Sequence, residues 1–393
     1  MPARRGSCLA AGLLAASLAF AWQSATVRFN YAGHWTALFC TGAKAAVPPQ
    51  LDSERIHTFS GSTGYDGQFY HYVAHDPLLQ GNLSRYMDAP EWRYRRILVP
   101  ALAFLLAGGQ ARFVDAAYYF VVLLCVFLGA YWLSRFALLR NRSPWWGLVF
   151  LAVPAAVISL DRMTVDVALA AMAAGLLVYA ESGPVWRVWT LLAAAALTRE
   201  TGLLLVAGFC AHGVLHRKWV RSLIIAAAPL PAFGWYLYVQ SRAIVEPDPT
   251  YIQHAGAHWP GEALWFAITH PASYPFAPPL LLILRLLDYA GLAGALLAVA
   301  LALWIGLRRP ASAVEIAAAL YALMALVLGA ATGWIEPYGY TRTLSPLVMI
   351  LAARGLATGA WWLAAPLALM AARVLVQLGP QIAGILRGLS GTA

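Results

Sequence analysis

The sequence predicts an all-α polytopic membrane protein with about 11 transmembrane helices. Hydrophobic residues make up 61% of the 393 residues and charged residues only 11%, whereas about 25% of an ordinary soluble domain is charged. Several apolar runs, among them residues 290–307 and 313–333, are long enough to cross a bilayer core as helices. So much apolar surface excludes a soluble enzyme or a disordered chain.

The formal net charge of +10 does not indicate a nucleic-acid-binding protein. The basic residues are almost all arginines, and they lie in short clusters beside the apolar runs. Such clusters orient a membrane protein, because basic residues close to span ends stay on the cytoplasmic side. The bias to Ala, Leu, Gly and Arg is typical of a bacterial chain, so we expect the bacterial inner membrane.

The first apolar run follows Arg4 and Arg5, which predicts an uncleaved first span with its N-terminus in the cytoplasm. A cleaved signal peptide stays open as the alternative, since residues 19–21 resemble a cleavage sequence. Residues 28–112 then form a first external loop. Its short apolar segment, Ile97–Gly108, is expected to be an interfacial or re-entrant helix, because this choice delivers the arginines after the next span to the cytoplasm.

The remaining segments complete one integral membrane domain over residues 1–393. A second external loop is expected at residues 240–275, and a short outer loop at residues 334–343. The further spans are expected at residues 113–133, 145–160, 165–180, 189–197, 203–215, 223–239, a stretch ending near residue 308, 313–333, and two last segments separated at residues 354–358.

Nearly all carboxylates face outward in this topology. Four of them lie at the tips of short hairpins or near span ends, so they are not ordinary charged residues of a solvent-exposed loop: Asp161, Asp166, Glu200 and Glu336. Ionisable groups at membrane depth are costly and by default indicate a functional site. We therefore expect these residues to share a cavity at the outer leaflet.

The most informative stretch is Gly64–Tyr70, which reads GYDGQFY. Its glycines allow the backbone or a ligand to approach closely, and aromatic rings suit both the membrane interface and the face of a sugar. Asp66 is therefore a candidate reactive group. The alternative is that Asp66 only caps a helix over residues 68–74, since Asp is a common helix cap.

Two histidines, His71 and His75, lie one helical turn apart, and Asp76 follows them. This spacing suits a metal ion, but two histidines without a third placed ligand are a weak signal. The second external loop holds three more histidines: His254, His258 and His270. No ligand set is assigned, and a divalent metal ion stays open.

Arginines lie beside several of these segments. Arg93, Arg95 and Arg96 are expected to anchor an interfacial helix among lipid phosphates, in preference to holding the phosphate of a lipid-linked substrate. Arg199 interrupts an apolar segment, and Arg342 lies on another hairpin. Each can form a structural ion pair or bind a phosphate bidentately, and both interpretations stay open.

Three short stretches resemble the GT-C glycosyltransferases, polytopic enzymes that use polyprenyl-phosphate sugars: Tyr65–Tyr70 with Asp76–Pro77, Tyr94–Pro100, and Leu197–Gly202. The first two are similar to a bacterial branch related to mannosyltransferases. The third is similar to the LTR-x-TG element of members like the GPI mannosyltransferases. The chain departs from some members because it has no clear second acidic pair.

The resemblance implies an inverting glycosyltransferase that moves a sugar from a polyprenyl-phosphate donor to an acceptor hydroxyl at the outer face of the membrane. Asp66 takes the role of general base by this resemblance. The expected partners are the lipid-linked donor, membrane lipid and an acceptor of unknown class, and no cofactor is assigned. A membrane transporter or a lipid-linked-sugar flippase is the alternative. Besides Asp66, the residues expected to bind substrate are Tyr65, Gln68, Tyr70, His71, Asp76, Arg95, Arg96, Asp161, Asp166, Arg199, Glu200, Glu336, Tyr340 and Arg342.

Overall fold

A computed structural model describes residues 2–180, 183–242, 259–308, 311–327 and 331–391. Within these ranges almost every regular element is a helix. Two short parallel strands, β1 Thr41–Gly42 and β2 Thr58–Phe59, pair in the first loop, with Thr41 opposite Thr58. The all-α prediction is therefore confirmed for the described part of the chain.

The helices follow one another closely along the chain. Up to residue 215 they are α1 Pro2–Asn30, α2 Asp66–His75, α3 Pro90–Arg95, α4 Leu98–Leu106, α5 Ala111–Leu139, α6 Pro154–Arg162, α7 Asp166–Tyr179, α8 Val185–Thr198 and α9 Gly202–Leu215. The later helices are α10 Trp219–Ala226, α11 Leu230–Arg242, α12 Glu262–Thr269, α13 Pro278–Gly306, α14 Ala313–Val327, α15 Ala331–Ile335, α16 Pro337–Thr343, α17 Ser345–Thr358, α18 Ala365–Val376 and α19 Gly379–Ser390. Short 3₁₀ helices cover Trp35–Phe39, Pro49–Glu54, Leu83–Tyr86, Pro144–Ala152 and Trp361–Ala364.

In the described residues, four helical segments are long and apolar enough to cross a membrane: Gly6–Asn30, Ala111–Leu139, Trp219–Arg242 and Pro278–Gly306. Two bent pairs, over residues 144–162 and 361–390, raise the number to six if each pair is one span. Five more apolar helices, α7, α8, α9, α14 and α17, have 14 or 15 residues. At 1.5 Å per residue they reach about 21 Å, less than the roughly 30 Å of a bilayer core. The structure thus supports four to six spans, and the expected number of about 11 depends on these short helices.

Two predicted segments have a different local structure. The span expected at residues 145–160 is bent by 56° between its 3₁₀ part and α6. Pro154 begins α6, and a proline there fixes its own φ and cannot donate a backbone hydrogen bond to the preceding turn. The outer loop expected at residues 334–343 contains α16, which also begins with a proline, Pro337.

Small residues let α1 and α5 approach closely. Ala11, Ala15 and Ala19 are spaced four apart on α1 and are buried, so they share one face. A Cβ added at Gly12 would lie 2.9 Å from the Phe127 ring of α5. The other side of α1 exposes large apolar side chains such as Leu13, as a lipid-facing helix requires.

The first turn of α2 is fixed against the end of α6. A Cβ added at Gly67 would lie 2.0 Å from the carbonyl oxygen of Arg162 and 2.9 Å from that of Phe39, so only glycine fits. The Gln68 side chain donates to the Thr63 carbonyl at 2.9 Å and accepts from the Gly42 amide at 3.1 Å. These contacts hold the start of α2, and hence Asp66, in one place.

Candidate functional site

A cavity of about 630 Å³ opens between the first loop and the start of α16. Polar side chains from both parts line it, including Tyr65, Asp66, Gln68, Arg85, Asp88 and Glu336. Four of these are site residues predicted from the sequence: Asp66, the expected general base, and Tyr65, Gln68 and Glu336, which are expected to bind substrate. This volume falls within the roughly 300–1,000 Å³ that is typical of small-molecule sites.

Two guanidinium groups contact the carboxylate of Asp66. The Arg342 Nη2 atom lies 2.6 Å from Asp66 Oδ2, and the Arg93 Nη1 atom lies 3.0 Å from Asp66 Oδ1. The Asp66 side chain keeps 15% of its surface exposed, and it lines the cavity. It is therefore an ion-paired carboxylate that a molecule in the cavity can reach.

Opposing effects act on the pKa of Asp66. Burial by itself raises the pKa, but the positive charges of Arg342, Arg93 and Arg96 outweigh burial and hold the pKa well below its usual range. Asp66 is therefore ionised at neutral pH. A carboxylate in this state accepts a proton weakly until some of the positive charge is drawn away.

The helix-cap interpretation of Asp66 is wrong. Tyr65 holds the cap position, with φ −139° and ψ 172°, and Asp66 is the first residue of α2. The cap makes no side-chain hydrogen bond to the helix. The charge of Asp66 is still favourable at this position because of the helix dipole.

Alternating charges continue inward from Asp66. Arg342 also lies 3.6 Å from Asp166, through its Nη1 and the Oδ2 atom, and Asp166 forms an ion pair with Arg199. The Nη2 atom of Arg199 donates to Thr343 Oγ1 at 3.1 Å. The structure thus brings Asp66, Arg342, Asp166 and Arg199 into one buried chain of contacts, in which Arg199 reaches Asp66 through two intermediates.

A second contact joins the first loop to the turn between α8 and α9. The Nε atom of Arg96 lies 3.1 Å from the Glu200 carboxylate, and its Nη1 atom donates to the Tyr70 hydroxyl at 2.9 Å. The turn forms because Arg199 is extended, with φ −164° and ψ 150°, and so ends α8. Arg96, Glu200 and Tyr70 therefore stand beside the Asp66 cluster.

The membrane-anchor interpretation is wrong for Arg93 and Arg96. Arg93 is buried between Asp66 and Asp88, whose Oδ2 atom lies 2.8 Å away. Arg96 is mostly buried as well. The substrate-binding residues predicted from the sequence do not include Arg93. Asp88, five residues before Arg93 and paired with it, is the local signal for this residue. Arg95 instead pairs with Glu91 and lies over the Trp92 ring.

Glu336 precedes α16 and shares the cavity wall with Asp66. Burial raises its pKa, Arg342 lowers it and Asp66 raises it, and the balance is a raised pKa. Two carboxyl groups of one cavity therefore have pKa values shifted in opposite directions: that of Glu336 is raised, and that of Asp66 is lowered because two guanidinium groups contact it. Such a pair is typical of sites that move protons.

Asp76, Tyr340 and His71 are among the residues expected to bind substrate that do not line the cavity. Asp76 accepts hydrogen bonds from the amides of Gln80 at 2.7 Å and Gly81 at 2.8 Å, so it holds a turn. Tyr340 is buried and stacks on Trp334, with ring centroids 5.5 Å apart. His71, on α2, is buried and contacts Asp115 of α5.

Asp161 belongs to a separate buried cluster. Its carboxylate accepts from the Tyr338 hydroxyl at 3.1 Å and from Gln381 Nε2 at 3.0 Å, and it pairs with Arg162 at 2.9 Å. These contacts tie α6 to α16 and α19. The arrangement favours a structural role for Asp161 over contact with substrate.

Among the histidines, His71 and His75 gain a third neighbour, Asp115. Two histidines of the second external loop, His254 and His258, lie outside the described residues. His270 stacks on Phe266 of α12.

No family model matches this chain, and no curated protein or solved structure is significantly similar to it.

Proposed function

We propose that the chain is an inverting glycosyltransferase that moves a sugar from a polyprenyl-phosphate donor to an acceptor hydroxyl at the outer face of the bacterial inner membrane. One observation carries the proposal: a cavity-lining carboxylate, Asp66, contacts two guanidinium groups, those of Arg93 and Arg342. The candidate base thus lines the cavity, and the two cations that would bind a phosphate contact it directly. The apolar helices fit the bilayer in which a lipid-linked donor is held.

In the proposed reaction, the acceptor oxygen attacks the anomeric carbon while the bond from that carbon to the phosphate oxygen breaks. The hydroxyl proton passes to Asp66, and the bonding electrons leave with the phosphate. A phosphate does not need a proton in order to leave, so one well-placed carboxylate suffices. A single displacement inverts the anomeric centre.

Arg93 and Arg342 would act in two successive ways. In the free site they keep Asp66 ionised and weakly basic. A donor phosphate that binds both guanidinium groups draws positive charge away from Asp66 and so increases its basicity. The same cations then stabilise the charge of the departing phosphate. Donor binding and activation of the base are thereby coupled.

A transporter or flippase is the second candidate, and one observation favours it. Buried ion pairs extend from Asp66 through Arg342 and Asp166 to Arg199, and ionisable groups that face the interior of a helix bundle also mark transport pathways. The two candidates differ in one respect, because only the enzyme breaks the bond between sugar and phosphate.

The test is incubation of the purified protein in vesicles with labelled polyprenyl-phosphate sugars, one sugar at a time, with lipid and glycan acceptors. We expect release of polyprenyl phosphate and a product with inverted anomeric configuration, read by NMR. Movement of intact lipid-linked sugar across the bilayer, without bond cleavage, would refute the transferase. A product with retained configuration would contradict the single displacement.

A further inference from the structure

A compact cluster of metal-ligating side chains lies between α2 and α5, and none of its three residues lines the cavity. His71 and His75 are on one face of α2, and Asp115 is near the start of α5. Two imidazole nitrogens and one carboxylate oxygen lie within 4.8 Å of one another. From this geometry we propose a binding site for a divalent transition-metal ion, with zinc(II) as the best-matched ion.

The distances between the donor atoms support this assignment. The Nε2 atom of His71 lies 2.7 Å from Asp115 Oδ1, and the Nε2 atom of His75 lies 3.4 Å from the same oxygen. Tetrahedral zinc with bonds of about 2.0–2.1 Å separates its ligand atoms by roughly 3.3 Å. Small side-chain shifts would therefore admit the ion.

The donors are held in place by packing. The His71 ring stacks on Phe39, with centroids 4.1 Å apart and planes at 12°, and meets the His75 ring edge to face at 4.9 Å. The His71 side chain is fully buried, that of His75 is 3% exposed and that of Asp115 16% exposed. An ion can therefore enter beside Asp115 and find the rings already oriented.

The local charge also suits a divalent cation. Glu54, at the end of the 3₁₀ helix Pro49–Glu54, interacts electrostatically with Asp115 and with both histidines. A bound metal ion requires its imidazole ligands to be neutral and its carboxylate ligand to be ionised, and Asp115 supplies this carboxylate. Mixed imidazole and carboxylate donors are typical of zinc and related metals.

One feature lowers the expected affinity. The His71 Nδ1 atom is buried and has no hydrogen-bond partner among the described residues, yet it must carry the proton when Nε2 binds metal. Loss of such a supporting acceptor weakens metal sites by about 10–100-fold. The three proposed ligands do not line the cavity, so the ion would brace α2, which begins with Asp66, against α5.

The test uses full-length protein that has been dialysed against chelator and titrated with zinc(II), with bound metal measured by calorimetry and elemental analysis. We expect one ion per chain. His75→Gln and Asp115→Asn should each lower the affinity at least 10-fold. His216→Gln is the matched control, since His212 and His216 also lie one turn apart, with rings 4.3 Å apart, but the charged groups acting on His212 are cationic.

A measurement on the unaltered chain covers the case in which a variant fails to fold. X-ray absorption at the zinc edge should show two imidazoles with additional oxygen ligands. A shell of oxygens alone, the absence of saturable binding, or affinity unchanged in both folded variants would overturn the proposal.

Discussion

At the scale of single residues, the site is built around Asp66, whose two cationic partners, Arg93 and Arg342, come from two different helices. Flanking glycines and aromatic residues set this acid apart. Its partner Arg342 comes from a distant helix, so no spacing rule connects the two. Asp115 likewise meets His71 only in the folded chain. A cluster of arginines alone does not show which of its members is buried, so the sequence does not distinguish a lipid-anchoring Arg93 from one that pairs with Asp66.

The lowered pKa of Asp66 predicts the pH dependence of the proposed transfer. A group with a lowered pKa loses its charge only as the pH falls through its folded value, so kcat/KM should not fall between about pH 7 and about pH 5. The ion pairs of Asp66 should keep their contribution to stability over the same interval. Steady-state kinetics across this range checks the prediction. Loss of activity on acidification would instead indicate Glu336, whose pKa is raised.

Arg342 contacts both Asp66 and Asp166, so its removal leaves two buried carboxylates short of positive charge. Arg342→Gln should lower kcat/KM by about 10²–10³-fold, as for other donors that stabilise developing charge. Arg342→Lys should recover part of the loss, because it keeps the charge without the planar fork. The matched control is Arg354→Gln, whose partner Glu315 belongs to α14. Equal activity of Arg342→Gln and the control would rule out a role for Arg342.

At the scale of elements, the apolar runs predicted where helices lie better than how they bend or end. Pro154 marks the break within the segment expected at residues 145–160. The sequence predicts an outer loop at residues 334–343, where the structure has the helix Pro337–Thr343. The Gly, Thr and Tyr residues of this helix have weak helix propensity. Burial of Tyr338, Tyr340 and Thr341 accounts for its formation, and such tertiary packing is invisible in a local pattern.

The close approach of α2 to α6 predicts a sharp difference between two glycines. Gly67→Ala places a Cβ 2.0 Å from a backbone oxygen, so it should destabilise the protein by about 1–3 kcal/mol or more. Gly234→Ala, in α11, meets no atom within 4 Å and should be neutral or stabilising by up to about 1 kcal/mol. Thermal unfolding in detergent compares them. Equal stability of the two variants would contradict the described packing of α2.

At the scale of the whole molecule, composition alone predicted helices in a membrane, but the number of spans depends on packing. Helices of 14 or 15 residues, such as α7 and α17, cross a bilayer only if neighbours or local thinning accommodate them. Their hydropathy therefore predicts each of these helices as a membrane span, whereas their length is too short for a full crossing of the bilayer core. The clusters of basic residues predict which ends of the spans face the cytoplasm, and the positions of the helices do not give this orientation.

The proposed orientation can be tested by labelling introduced cysteines in intact cells. Cys8, Cys40 and Cys125 are buried and Cys210 is partly exposed, so a Cys210→Ser background leaves few competing thiols. An impermeant maleimide should label Gln80→Cys, in the first loop, from outside. Lys218→Cys, between α9 and α10, should be labelled only after permeabilisation. The reverse pattern would place the cavity in the cytoplasm and contradict the proposed topology.

The central claim is that Asp66 accepts the proton of the acceptor hydroxyl. The most direct measurement compares Asp66→Asn with Asp52→Asn, an exposed acid of the same loop, for sugar transfer and for binding of a labelled polyprenyl-phosphate sugar. We expect Asp66→Asn to lower transfer by about 10²–10⁴-fold, the usual contribution of a general base. Donor binding should persist because Arg93 and Arg342 are then free to hold phosphate. Turnover by Asp66→Asn equal to that of Asp52→Asn would contradict the account.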